Sequence, residues 1–396
     1  MQFPLSRNRN ITLALGFDDV SLVPGLATLD PVDVNIGFEL PAPGGSQRYE
    51  LPIMAAAMDG VVDVRIARLF DDYGGLGVLN LEGIYCRYED CKPLIERIKS
   101  AGDDEVVGVF QDIYQQGVKP ELIAKRIAEI KDGKTEAGRA RRAAVSLTPV
   151  GAIKYAEAVV AAGADVLVIQ STVTSTQHKS SRGASLDVAA LVKSLNIPVL
   201  VGNCVSYDVA YALFEAGSAG LLVGIGPGQA CTTRGVTGVG LPQITATADC
   251  AAARDDYFKA TGRYPLVITD GGMRKGGEIC KALASGGDAI MTGSIFAGCP
   301  EAPAAPYHWG MAAPDPNLPR GTRVKSNVSV PLHQVLFGPS HVNDGTQNLT
   351  GAIRSAMGLC GASNIREFHK TELAVSLSFM TEGKALQIGQ RVGMGK

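Results

Sequence analysis

Residues 197–226 read IPVLVGNCVSYDVAYALFEAGSAGLLVGIG. A near-continuous apolar run is followed by a segment whose apolar residues recur at helical spacing, then by Gly217 and a second apolar run. Short runs without alternation suit strands buried on both faces, the condition of a parallel sheet covered by helices. Glycine just ahead of the second run is where a helix ends in a left-handed residue. The unit recurs in LPIMAAAMD (51–59), GGLGVLN (74–80), VVGVFQD (106–112), AAVSLTP (143–149), ADVLVIQS (164–171), PLVITDGG (265–272) and GDAIMTGS (287–294), with helical segments such as GAIKYAEAVVAAGA and RKGGEICKALASGG between them.

These are nine candidate strands, and a closed (β/α)8 barrel needs eight. AAVSLT, a helix and ADVLVIQ already form one compact unit, which assigns VVGVFQD to an insertion. Most runs end in polar or glycine clusters: Met58-Asp59, Gln170-Ser171-Thr172, Gly202-Asn203, Gly224-Ile225-Gly226, Asp270-Gly271-Gly272 and Gly293-Ser294. In a barrel these ends share the face on which active sites are built. A doubly wound sheet would carry a glycine fingerprint after its first strand, where this chain has AMDGVVD. The expected fold is α/β, a single (β/α)8 TIM barrel over residues 1–396, with an N-terminal extension, a short insertion after strand 2 (84–141) and a C-terminal extension. LIAKRIAEI (122–130) in the insertion reads as an amphipathic helix, which makes the insertion a cap or a subunit contact.

The 396 residues hold 39 acidic and 37 basic side chains, a net charge of −2. Charges this balanced offer no footprint for nucleic acid or an anionic membrane, so neither is expected as a partner. A hydrophobic share of 46% and a charged share of 19% describe a globular chain able to bury a large core. No apolar run reaches the ~18 residues of a membrane span, and MQFPLSRNRN lacks the apolar segment of a secretory leader. The expected location is the cytoplasm. The 47 glycines exceed ordinary usage of about 7% and gather at the run ends, where backbone passes close to a ligand. The eight cysteines include no CxxC pair, and the nearest two, Cys86 and Cys91, have no histidine beside them, so neither a zinc site nor a disulfide framework is expected.

GIGPGQACTTRGVTGVGLPQ (224–243) follows the seventh of the nine runs and holds Cys231 in a polar, glycine-rich loop. A thiolate there is a candidate nucleophile, its pKa lowered by Arg234 and loop N–H groups. Thr232 and Thr233 are hydroxyls that either polarise a water or a leaving amine or make local turn hydrogen bonds. The other seven cysteines (Cys86, Cys91, Cys204, Cys250, Cys280, Cys299, Cys360) read as small buried apolar residues. Asp270-Gly271-Gly272 and Gly293-Ser294 each precede a helical segment. Helix N-termini bind phosphate and a strand-end Asp suits a ribose diol, so the pair points to a mononucleotide.

Together these residues resemble the IMP dehydrogenase and GMP reductase family. The likeness rests on GIGPGQACTTRGVTGVGLPQ, on ITDGGMRKGGEICKALASGGDAIMTGS (268–294) and on NLTGAIRSAMGLCGA (348–362), and runs from FDDVSLVPG (17–25) onward. It is nearest to a short bacterial branch that lacks the paired CBS domain and carries HWGMA (308–312) and LPRGTR (318–323). The resemblance implies that Cys231 attacks C2 of a purine nucleotide and that Thr233 serves the water or ammonia step. It implies that Asp270 holds the ribose, that Gly271, Gly272, Gly293, Ser294 and His308 hold the phosphate, and that Gly310, Met311 and Ala312 read the base, with Met58, Asn203 and Gln229 beside the purine. Residues 300–346 would form the base-binding loop and flap region. NAD is implied as cofactor, against Gln170, Ser171, Thr172, Asn203, Gly224 and Gly226. Potassium is implied on the carbonyls of Gly226, Gly228 and Cys231, completed by Glu382 and Gly383 of a neighbouring subunit in a homotetramer.

The chain departs from the family in three places. No Arg-Tyr pair follows GMA; Arg320 stands where reductases have a Glu; and Gln170 replaces a strand-end Asp. Arg320 or Arg323 is the expected hydrolytic base. The expected activity is NAD-dependent oxidation of IMP to XMP through a covalent Cys231 thioimidate, in guanine nucleotide synthesis. The alternatives are a GMP reductase using NADPH and a nucleotide-binding regulator.

Overall fold

The structure is a computed structural model that describes residues 2–6, 9–179, 181, 185–310, 323–327 and 329–375. Eight parallel strands close into a barrel: β1 (Ile53–Ala55), β2 (Leu76–Asn80), β3 (Ala144–Leu147), β4 (Val166–Gln170), β5 (Val199–Cys204), β6 (Gly220–Val223), β7 (Leu266–Asp270) and β8 (Ala289–Thr292). The β8–β1 pairing, Ile290 opposite Ile53, shuts the ring. Every residue of β1, β2, β3, β5, β6 and β8 is buried, as runs without alternation predict.

Eight of the nine apolar runs are these strands. The ninth, VVGVFQD, lies in a helix, α3 (Val106–Gln115), preceded by α2 (Lys92–Ser100) and followed by α4 (Pro120–Lys131). Val106, Phe110 and Ile113 are its buried residues, at helical spacing. The cysteine loop therefore follows the sixth barrel strand, not a seventh. α4 buries Leu122, Ile123, Ile127 and Ile130 and packs between α1 (Val64–Asp72) and α5 (Pro149–Ala161). That is the place of the barrel's second helix, so the excursion added between β2 and α4 spans 84–119.

The remaining barrel helices are α6 (Val188–Ser194), α7 (Tyr207–Glu215), α9 (Gln243–Thr261), α10 (Gly276–Ala284) and α12 (Leu349–Leu359), with the short α8 (Thr233–Thr237) and α11 (Leu332–Phe337) beside them. Gly163, Gly217 and Gly286 follow α5, α7 and α10 with φ of +88°, +93° and +110°, the left-handed residues expected at helix ends.

The hairpin Phe38–Ala42/Gly45–Tyr49 fills the amino-terminal end of the barrel. Phe38, Leu40 and Tyr49 join Met54, Val78, Val166 and Ala289 in the interior cluster, and Arg142, just before β3, stacks 3.8 Å above the Tyr49 ring. The carboxyl-terminal end holds the polar loops. Among the described residues, no helix is long and apolar enough to cross a membrane.

Candidate active site

Three strand ends meet through their side chains. Asp270, at the end of β7, accepts Asn203 Nδ2 at 2.7 Å and Gln170 Nε2 at 2.9 Å on the same oxygen, Oδ2. Gln170 Nε2 also reaches Asn203 Oδ1 at 3.1 Å. Burial pushes the Asp270 carboxyl up to about 6, and the two amide donors pull against it. Gln170 Oε1 is buried without a protein partner, an acceptor turned into the same pocket wall.

Gln243, the first residue of α9, ties this wall to the cysteine loop. Its Nε2 donates to Val223 O at 3.1 Å, Asp270 O at 2.9 Å and Gly271 O at 3.3 Å. Gly224 is needed beside it, because a Cβ there would lie 2.4 Å from Asp270 O.

The loop then crosses the turn after β7. Gly271 and Gly272 have φ of +81° and +84°, and a Cβ on either would sit 3.3 or 3.0 Å from the Pro227 ring. Cys231 N–H donates to Gly228 O at 3.0 Å, and the Cys231 thiol donates to Thr233 Oγ1 at 3.2 Å. Cys231 is exposed, whereas Cys86, Cys91, Cys204, Cys250, Cys280 and Cys299 are buried and Cys360 is half-buried. Burial pushes the Cys86, Cys91, Cys280 and Cys299 thiols up to about 12, which leaves them inert.

Arg234 is anchored by hydrogen bonds to the loop backbone. Its Nε donates to Ile225 O at 2.9 Å, its Nη2 to Leu241 O at 2.5 Å, and its stem fills the space beside Gly226. The guanidinium braces the loop backbone and is not hydrogen-bonded to the Cys231 thiol.

At the other side of the mouth, Gly293 follows β8, and a Cβ on it would fall 2.4 Å from Met58 Sδ. Its carbonyl accepts the N–H groups of Phe296 and Ala297 at 3.0 and 3.1 Å, so Gly293-Ser294 opens a tight turn. α10 starts three residues beyond Met273, and its first N–H, of Gly276, is taken by Gly345 O at 2.8 Å. In the glycine turn after β7 the Gly271 N–H is likewise occupied, donating to Met291 O at 2.9 Å.

His308 is wholly buried with both ring nitrogens unpartnered, and burial pushes it down to about 4, so the imidazole is neutral near pH 7. Gly310 stands close to the cysteine loop, its Cβ direction 3.7 Å from Ala230 O. Gln229 and Thr172 are exposed, and the Ser171 hydroxyl is occupied by Val173 O at 2.8 Å and Thr174 Oγ1 at 2.9 Å. Met311, Ala312, Arg320, Glu382 and Gly383 lie outside the described residues.

Arg323 is not a base. Its guanidinium donates to Ile98 O at 2.7 Å, Lys99 O at 3.0 Å and Asp103 Oδ1 at 2.9 Å, and lies 4.5 Å from the centre of the Tyr307 ring. A guanidinium whose donors are taken in this way is fixed on the excursion.

Sequence reading missed Gln243 and the buried Asp59. The signals were present: Gln243 closes the cysteine motif, and Asp59 directly follows Met58. Among the described residues, no cluster of three or more His, Cys, Asp or Glu could hold a metal ion. Carbonyl oxygens of the Gly226–Cys231 turn are hard, neutral donors, which fit a monovalent cation better than a transition metal.

Residues 14–311 match the profile described as "IMP dehydrogenase / GMP reductase domain". The chain is 36% identical over 366 residues to an uncharacterised oxidoreductase of Mycobacterium tuberculosis, covering 90% of this chain and 95% of that one. It is 31% identical over 310 residues to the inosine-5'-monophosphate dehydrogenase of Borreliella burgdorferi, covering 73% and 71%. The crystal structure of an IMP dehydrogenase/GMP reductase-like protein from Corynebacterium glutamicum superposes with a TM-score of 0.86 at 30% identity, covering 95% of this chain and 98% of that one.

Proposed function

We propose, for a chain that belongs to the IMP dehydrogenase/GMP reductase family, that it oxidises IMP to XMP with NAD⁺ as acceptor. The observation that carries the reading is Cys231. It is the exposed cysteine, its thiol is bonded to Thr233, and its loop rests on the glycine turn that begins at Asp270.

In this reading the ribose diol of IMP binds the Asp270 carboxylate. The phosphate takes N–H groups of Gly272 and of the Gly293-Ser294 turn, while the Gly271 N–H is held by Met291 O and the wholly buried His308 ring is not open to it. Met58 packs on the purine with Asn203, while Gln229, Gly310, Met311 and Ala312 read the base. The Cys231 thiolate adds to C2, forming a C–S bond that holds the reacting carbon in place for both halves of the reaction. NAD⁺, when bound, supplies the acceptor for the C2 hydride. The residues fit that group in one respect: Gln170 Oε1 is a buried acceptor without a protein partner, on a side chain hydrogen-bonded to Asn203, and with Ser171, Thr172, Gly224 and Gly226 these residues would hold it. The remaining thioimidate is attacked at C2 by water, oriented by Thr233 and deprotonated with the help of Arg320. The C–S bond then breaks, sulfur recovers a proton and XMP leaves. A potassium ion on the carbonyls of Gly226, Gly228 and Cys231, completed by Glu382 and Gly383 of a second subunit in a homotetramer, would fix the loop's shape.

The test is spectrophotometric. Purified protein with IMP and NAD⁺ is expected to form NADH. Oxidation of NADPH with GMP, and no turnover of IMP, would make the protein the reductase instead. Silence in both with nucleotide still bound would make it a regulator.

A further inference from the structure

The cysteine loop leaves the barrel at the end of β6 and returns at Gln243, the start of α9, and every residue from Gly226 to Pro242 is half-buried or exposed. Val236 and Val239 are 79% and 48% exposed, so the loop holds no apolar core of its own. A segment with so little buried apolar surface opens locally unless polar contacts close it. In the proposed reaction Cys231 must nevertheless meet C2 of a bound nucleotide at bonding distance, where a misplacement of about 1 Å can cost about 100-fold in rate.

Three fastenings close the loop. At its base, Gln243 Nε2 donates to Val223 O and so joins the two ends. On its inner side, Pro227 rests on the turn of Gly271 and Gly272. Between its two legs runs Arg234. Nε donates to Ile225 O at 2.9 Å on the outgoing leg, and Nη2 donates to Leu241 O at 2.5 Å on the returning leg. A Cβ on Gly226 would lie 2.5 Å from Arg234 Cγ, and one on Gly240 would lie 2.5 Å from its Nε. The stem therefore passes between two glycines, one on each leg, and a side chain at either would push it aside. A guanidinium suits this place because its donors form a rigid planar fork that reaches two carbonyls at once, whereas an ammonium is a single point of charge.

We infer that Arg234 is the positioning residue of the nucleophile: it bolts the two legs of the loop together and fixes where Cys231 stands relative to the glycine turn after β7. The inference rests on the role proposed above for Cys231 and gives Arg234 a mechanical part, distinct from any effect of its charge on the thiol. The turn after β7 keeps fastenings of its own, from Gln243 Nε2 to Asp270 O and Gly271 O and from the Gly271 N–H to Met291 O. Loosening the bolt should therefore be felt in the chemical step more than in nucleotide binding.

The experiment compares Arg234→Lys, Arg234→Met and Gly240→Ala with the unaltered full chain by two measurements. Amide hydrogen exchange of peptides within 224–243 is expected to quicken about tenfold in all three, the size of one lost hydrogen bond, while peptides of β7 stay within about twofold. Steady-state kinetics with IMP and NAD⁺ are expected to show kcat lowered about tenfold or more in all three, with KM for IMP within about threefold. The charge of Arg234 also acts on Cys231 through space, and lysine keeps that charge without the fork. Full kcat in Arg234→Lys beside a loss in Arg234→Met would overturn the bolt in favour of the charge. Unchanged exchange in the variants would overturn it too. Gly240→Ala displaces the stem and keeps the guanidinium, so it carries the test if the Arg234 variants do not fold. Absence of turnover in the unaltered chain would instead sink the role proposed for Cys231, and the inference with it.

Discussion

Asn203 donates to Asp270 Oδ2 at 2.7 Å, linking residues 67 positions apart across the ends of β5 and β7. Gln170 donates to the same oxygen, which leaves the other oxygen of Asp270 for a ligand's hydroxyls. The carboxyl sits at about 6, raised by burial above its ordinary value of 3.8. Below that pH it is protonated and loses its strength as an acceptor.

Nucleotide affinity should accordingly fall as pH drops through about 6, by up to tenfold per pH unit. The nucleotide phosphate titrates in the same range, so the measurement is the difference between the unaltered chain and Asp270→Asn over pH 5–8. Asp270→Asn is expected to lose activity and most of the pH dependence that the carboxyl contributes. A raised folded-state pKa means that Asp270 favours folding below about 3.8 and opposes it progressively as pH rises through about 6. At pH 7.5 the Asn variant should thus melt about 1–3 °C higher.

Gln170→Asp would set a second carboxylate beside the first. Two like charges within hydrogen-bond distance cannot both ionise cheaply, so the pair should take up a proton at higher pH. The acid limb of nucleotide binding is expected to move up by about one pH unit. An unmoved limb in titrations from pH 5 to 9 would count against the Gln170–Asp270 contact.

Cys231→Ala should abolish turnover while nucleotide binding stays within about threefold, because phosphate and ribose recognition lie elsewhere. Thr233→Val, which removes the hydroxyl 3.2 Å from the thiol, should slow the step after hydride transfer more than the transfer itself. Pre-steady-state NADH formation separates the two.

Gly293→Ala drives a methyl into Met58 Sδ. Methionine is flexible and can yield, so the melting temperature should change by less than about 2 °C. The displaced side chain should raise KM for the nucleotide about fivefold or more, and Met58→Ala in the same chain should recover part of the loss.

The barrel was legible because eight buried strands carry unbroken apolar runs whose ends are marked by Gly, Asn or Asp. VVGVFQD was ambiguous for a physical reason: Val106, Phe110 and Ile113 are buried at helical spacing, yet a seven-residue apolar run also fits a strand. The cysteine loop and both glycine turns were legible as local motifs. The partners of Arg234 and Arg323 were not, since neither guanidinium bonds the group its place in sequence suggests. The Asp59–Tyr114–Trp309 chain joins positions 59, 114 and 309, and no sequence spacing encodes it.

The hairpin Phe38–Tyr49 acts as a cork in the barrel's floor. A vessel with one opening must fill and drain through the same neck. In the proposed reaction nucleotide, acceptor and water would therefore all reach Cys231 from the end of the barrel opposite this hairpin.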